Sequence, residues 1–213
     1  MPRVVDREDR RRQLGAAVWR VVRDEGVEQA SVRNVAREAG LSTGSLRHYF
    51  ASQSDLLRFA MHLVIERLEA RVAALDLPDD PLAAARTALA QLLPLDPERA
   101  VENEVWLAFS VRAMVDDDLR ALRDDAFDRL RAACHRWAGA LLADASPEVV
   151  DLEAERLFAL VDGLAVHAAL RPEAASAPGM QAVLDLHLEA LAQKAVSPPG
   201  SPRTPRRGDR RPR

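Results

Sequence analysis

A single cysteine, Cys134, stands in a chain of 213 residues. It excludes an intramolecular disulfide and a thiolate cluster, and a reducing cytoplasm is the expected compartment. Lysine is equally scarce. Lys194 is alone, and arginine carries the positive charge almost everywhere, which reads as compositional bias. No apolar run reaches the roughly 18–20 residues of a membrane helix, so no membrane partner is expected. Residues 1–10 hold no apolar signal core, which argues against export by that route. No β-branched run alternates at period two, so strands are not expected. Neither His-Glu-x-x-His nor paired Cys-x-x-Cys occurs, and neither does a phosphate-binding glycine loop or a nucleophile elbow. Catalytic residues, a metal site and cofactors are therefore not expected, and Cys134, His135 and His167 read as structural.

Against these absences, 48% of the residues are hydrophobic and 30% charged, enough for a sizeable core. The net charge of −3 hides an uneven distribution. Residues 1–75 carry 13 arginines against 10 acids, residues 76–196 carry 11 basic against 22 acidic residues, and residues 197–213 carry 6 arginines against Asp209. A basic front on an acidic body suggests that the front meets a polyanion. Helical signals dominate. Leu14, Val18, Val21 and Val22 form one stripe over residues 7–25, which Gly26 can end. Ser31 can cap a short second helix that stops at Gly40, and Ser42 or Thr43 a third. Ser52 with Asp55 resembles a capping box and opens a helix to about residue 75. Further helices are expected over 82–93, 98–114, 118–142, 149–170 and 180–195. The fold class expected is all-α. The Pro-, Ser- and Arg-rich residues 197–213 have too little apolar surface to fold alone.

The stretch from Ser31 to Leu57 carries the chemistry. Two short helices meet at the tight turn Gly40-Leu41-Ser42, the arrangement of a helix-turn-helix. Val35, Ala36, Ala39 and Leu46 would brace the second helix. Its face of Thr43, Gly44, Ser45, Arg47 and His48 would then enter the major groove of DNA. Gly44 permits close backbone approach, short hydroxyls and helix amides suit phosphates, and arginine can pair with guanine O6 and N7.

Residues 13–57 resemble the DNA-binding domain of tetracycline-repressor (TetR)-type regulators. Gly40-Leu41-Ser42, Thr43-Gly44, Tyr49-Phe50 and Ser52-Gln53-Ser54-Asp55-Leu56 match its pattern in order and spacing. The resemblance implies that Thr43, Ser45, Arg47 and His48 meet bases or nearby phosphates. It implies that Tyr49 and Arg33 contact the backbone and that Phe50 locks the recognition helix in place. Two positions depart from the family pattern: Arg47 replaces a frequent tyrosine, and Gln53 a frequent phosphate-binding lysine. Gln53 can still donate a hydrogen bond but brings no charge. Arg7, Arg10, Arg11 and Arg12 are expected beside the DNA backbone or the minor groove, with the tail contributing little.

In the body, the resemblance implies that the last two helices form a dimer interface, through Leu157, Val161, Leu164, Ala168, Leu184, Leu188 and Leu191. By the residues alone, both apolar faces of these helices fit equally well into one monomer core. The middle helix offers Glu104, Trp106, Phe109 and Arg112 as ligand-binding residues, since aromatics beside a few polar groups line small-molecule pockets. They are also ordinary core residues. Glu104-Val-Trp106-Leu-Ala-Phe109 and Asp162-Gly163-Leu164-Ala165 resemble the choline- and betaine-responsive branch of the family. The organisation expected is a helix-turn-helix domain over 1–56, a helical ligand-binding and dimerisation domain over 57–196, and a disordered tail over 197–213. The function expected is a homodimeric transcriptional repressor, released from a palindromic double-stranded DNA operator by a small-molecule effector. A ligand-independent DNA-binding dimer, or a helical enzyme with a remnant front domain, are the alternatives.

Overall fold

The computed structural model describes residues 7–196. Residues 1–6 and the expected tail over 197–213 lie outside the described residues, as do the side chains of Arg7 and Arg12. Helices α1 Arg7–Glu25, α2 Val32–Glu38, α3 Thr43–Arg47 and α4 Gln53–Ala73 build the front. The body holds α5 Pro81–Leu89, α6 Pro97–Arg112, α7 Asp117–Leu141, α8 Pro147–Leu170 and α9 Ala177–Val196. Among the described residues there is no strand. Two 3-10 turns, Val27–Gln29 and Ala90–Leu92, were not foreseen from the sequence.

Local chemistry explains the boundaries. The Ser31 side chain accepts from the Asn34 amide at 3.2 Å, and Ser42 accepts from Ser45 at 3.1 Å. These caps satisfy amides that have no partner inside a helix. Ser52 and Asp55 form the full capping box that opens α4. Asp80, Asp96 and Asp116 cap α5, α6 and α7 in the same way, and proline sits at the start of α5, α6 and α8. Gly40 adopts φ 65°, a left-handed conformation that turns the chain between α2 and α3 at little steric cost.

Two apolar cores follow. The first joins α1, α2, α3 and α4 and includes Val105, Phe109, Ala113 and Leu119 from the body. The second is built by α5, α7, α8 and α9. The expected junction at 56/57 falls inside α4, which runs unbroken through it, and the first core spans both sides.

Five of the seven expected dimer residues require a correction. Leu157, Val161, Leu184, Leu188 and Leu191 are buried in the second core of a single protomer, and Leu164 and Ala168 are packed half-buried against it. The exposed large apolar residues on α8 and α9 are instead Val149, Leu152, Leu170, Val183 and Leu186. Both helices are apolar on two faces, and the richer face turns inward because it meets α5 and α7.

Candidate nucleic-acid interface and cavity

The front places its sequence-predicted residues on one short, solvent-facing element. Thr43, Gly44, Ser45 and Arg47 of α3 are exposed, as are His48 and Tyr49 immediately after it. Leu46 and Phe50 point the other way and are buried. The Phe50 ring lies 5.1 Å from that of Phe59 on α4, which fixes the end of α3 against the longer helix. Arg33 is exposed on α2, and neither it nor Arg47 has an ion pair with a described residue. Both guanidiniums keep donors for an outside acceptor.

Gln53 is partly committed. Its side-chain amide donates to the Ala30 carbonyl at 2.7 Å, which ties the start of α4 to the loop before α2. Ser54 beside it donates to Asp116 at 2.6 Å, across the fold at the turn before α7, and this hydrogen bond holds the Asp116 carboxyl below its ordinary range. Arg58 lies within 4 Å of both Asp55 and Asp118. The first two turns of α4 thus touch the front on one side and the body on the other.

Further along α4, Val64, Leu68 and Arg71 meet Asn103 and Trp106 of α6 and Asp162 of α8 around a cavity of about 150 Å³. Its walls are mostly apolar. Glu102 is buried there and accepts both Arg71 Nη groups, at 2.7 and 2.6 Å, so that charge is compensated. Asn103 donates to the Ala165 carbonyl at 2.7 Å. Asp162 has no hydrogen bond or ion pair with a described residue, and burial pushes its carboxyl above the ordinary 3.8. Trp106 packs edge-on against Phe127 at 5.2 Å, which sets its ring orientation.

Of the four expected ligand-binding residues, only Trp106 lines this cavity. Phe109 is fully buried in the first core, while Glu104 and Arg112 are exposed, Arg112 beside Asp116 at 3.8 Å. Helical periodicity explains the correction: Glu102, Asn103 and Trp106 share one face of α6, and Glu104 lies about 200° around the axis from Glu102. Sequence reasoning missed Asp162, Asn103 and Arg71 as cavity residues. Asp162 did carry a signal, as a charge in the otherwise apolar run from Leu157 to Val166. Cys134 is buried with its thiol pushed up to about 12, which makes it a poor nucleophile. No helix among the described residues is long and apolar enough to cross a membrane.

The comparisons with known proteins agree with this geometry. Residues 16–59 match the family model for bacterial regulatory proteins of the tetR family, and residues 81–193 match that for the C-terminal part of BetI-type transcriptional repressors. The HTH-type transcriptional regulator PksA of Bacillus subtilis is 40% identical over 90% of this chain and 94% of its own. A solved transcriptional regulator from Rhodococcus sp. Rha1 is 33% identical, with a TM-score of 0.75, over 89% of this chain and 99% of its own. The multidrug binding protein EbrR, solved in complex with imidazole, is 28% identical, with a TM-score of 0.60, over 88% of this chain and 93% of its own. The exposed helix-turn-helix, the helical body behind it and these matches lead to one conclusion: the chain belongs to the tetR family, with a BetI-type C-terminal half, and is a transcriptional regulator rather than an enzyme.

Proposed function

We propose that the chain is a cytoplasmic homodimeric repressor that reads a palindromic operator through α3 and leaves it when a small organic cation enters the cavity. The observation that carries this reading is that one helix serves both sites. Residues of α4 line the cavity, while its first turn is bonded to the loop before α2 and to the turn before α7. In this reading Thr43, Ser45, Arg47 and His48 meet base edges or nearby phosphates, with Gly44 allowing close approach. Tyr49, Arg33 and the remaining N–H of Gln53 hold the backbone. The front and body act as the units 1–56 and 57–196, coupled through α4. The exposed apolar residues of α8 and α9, Leu152 and Leu186 foremost, form the self-complementary surface of a two-fold dimer.

The cavity chemistry favours a cation. Asp162 is a lining carboxylate without a described partner, and a neutral occupant would leave its charge uncompensated in an apolar wall. Trp106 adds an aromatic surface to which a cation is attracted. EbrR, with its bound imidazole, gives a similar chain that takes a small ligand. The space suits an ion of about choline's size. Binding acts on DNA only through its preference for one arrangement of α4.

The test uses a duplex selected by the protein from a random pool, with choline as the probe cation. The expected result is saturable choline binding that weakens duplex affinity, with Asp162→Asn losing about tenfold or more in choline affinity while the empty protein still holds DNA. Equal choline binding by wild type and Asp162→Asn would overturn the cavity assignment. Failure to select any duplex would overturn the repressor reading itself.

A further inference from the structure

A second concave site lies on the front, between α1 and α4, and the reading above does not use it. It is a groove of about 570 Å³ whose walls carry four guanidiniums, from Arg11, Arg20, Arg23 and Arg67, against one carboxylate, Glu66. Each of the four also has a carboxylate partner, so the groove gathers guanidinium donors rather than net charge. The floor is apolar. Gly15 lets α1 approach α4 closely, since a Cβ there would meet Leu63 Cδ2 at 3.2 Å, and the nearly buried Trp19 lies beneath Arg67, whose Cζ is 4.1 Å from the ring centre.

The guanidiniums are not locked. Arg11 pairs with Glu66, Arg20 with Glu38, Arg23 with Asp24 and Arg67 with Glu98, and all of these pairs are solvated. Exposed pairs of this kind hold weakly and exchange readily for a better acceptor. Planar guanidinium forks match carboxylate and phosphate oxygens in bidentate fashion, and several of them around one groove favour an anion with more than one charge. The surroundings argue against a continuous DNA backbone as the occupant. Glu66 and Glu98, the partners of Arg11 and Arg67, would repel a long run of phosphates, whereas a compact anion has only to displace them locally.

We propose that this groove binds a small organic polyanion, a di- or tricarboxylate or a phosphate ester with an apolar part, which draws Arg67 from Glu98. Arg67 also lies 4.0 Å from Glu102, the carboxylate that holds Arg71 in the cavity wall. An anion in the groove therefore reaches the cavity through one shared carboxylate.

The experiment is calorimetric titration of the full chain with citrate and with pyrophosphate, at ionic strength held constant with chloride. One saturable site per chain is expected. Arg20→Gln and Arg23→Gln should each weaken binding by about fivefold or more, because each removes one charged fork. Arg86→Gln, on α5 and paired with Asp185 and Glu189, should bind like wild type. Citrate should change tryptophan emission in wild type and not in Trp19→Phe. Urea midpoints check that the exposed-arginine variants are folded. The proposal is overturned if neither anion saturates below about 10 mM, or if Arg86→Gln loses as much as the groove variants. It is also overturned if Arg20→Gln lowers duplex affinity without added anion, which would make the groove a DNA surface.

Discussion

At the scale of single residues, two side chains decide most of the proposed behaviour. Asp162 is buried enough that its carboxyl titrates above the ordinary range. A carboxyl raised in this way favours the folded state when protonated, and that contribution is lost as pH rises through its folded value. Asp162→Asn should therefore raise the melting temperature of the empty protein at neutral pH. Cation binding works in the opposite sense: choline affinity should fall as pH drops through the raised value, and the asparagine variant should show no such slope. A flat wild-type profile between neutral pH and pH 4 would remove Asp162 from the cation site. Arg47 is exposed at the end of α3 without a described ion-pair partner. Arg47→Ala should cost about 1–3 kcal/mol of specific duplex affinity if its fork reads guanine. Mobility-shift titration measures this, and an unchanged affinity removes Arg47 from the reading set. Residues of this kind were legible in the sequence because turn chemistry and spacing place them on one face. Gln53 was only half legible, since its bond to the Ala30 carbonyl spans 23 positions and leaves no local pattern.

At the scale of elements, the helices of the front are short and depend on their ends. Neither α2 nor α3 is long enough to be stable alone, so caps and core contacts hold them. Gly40 joins them at φ 65°, where an added Cβ meets no atom within 4 Å. Gly40→Ala should therefore cost about 1–2 kcal/mol through backbone strain alone, with no steric clash to add to it. Urea unfolding checks the value, and a neutral result would mean that the turn relaxes. The front helices were legible because Ser31, Ser42 and Ser52 are cap residues that can be read in sequence, whereas the caps Asp80, Asp96 and Asp116 were not read there. The function of a helix face was less legible. On α6, Trp106 and Phe109 share a stripe, yet the first lines the cavity and the second is sealed in the core. Periodicity gives the stripe and says nothing about which neighbour covers each turn.

At the scale of the whole molecule, the same limit governed the proposed dimer surface. The sequence shows that α8 and α9 are apolar beyond one stripe, and only packing decides which stripe stays outside. Leu184 and Leu188 serve the protomer, whereas Leu152 and Leu186 are exposed. Replacing Leu152 and Leu186 together with glutamate should give folded monomers by light scattering, with duplex affinity reduced by at least about tenfold because two linked heads become one. Retention of the dimer would move the interface elsewhere, and loss of helical signal would show that these residues are structural. The 21 residues of α4 have a further consequence. At the usual rise they make a rod of about 30 Å, with cavity residues towards one end and the reading head at the other. A 5° swing at the cavity end would carry the head by about 2.6 Å along such a rod, and by about twice that between two heads moving oppositely. The half-sites of the proposed palindromic operator would be set about 34 Å apart by the pitch of DNA and could not follow. A ligand displacing its wall by a fraction of an ångström would thus be geared into a misfit several times larger, and induction would depend more on the stiffness of one helix than on the strength of any single contact.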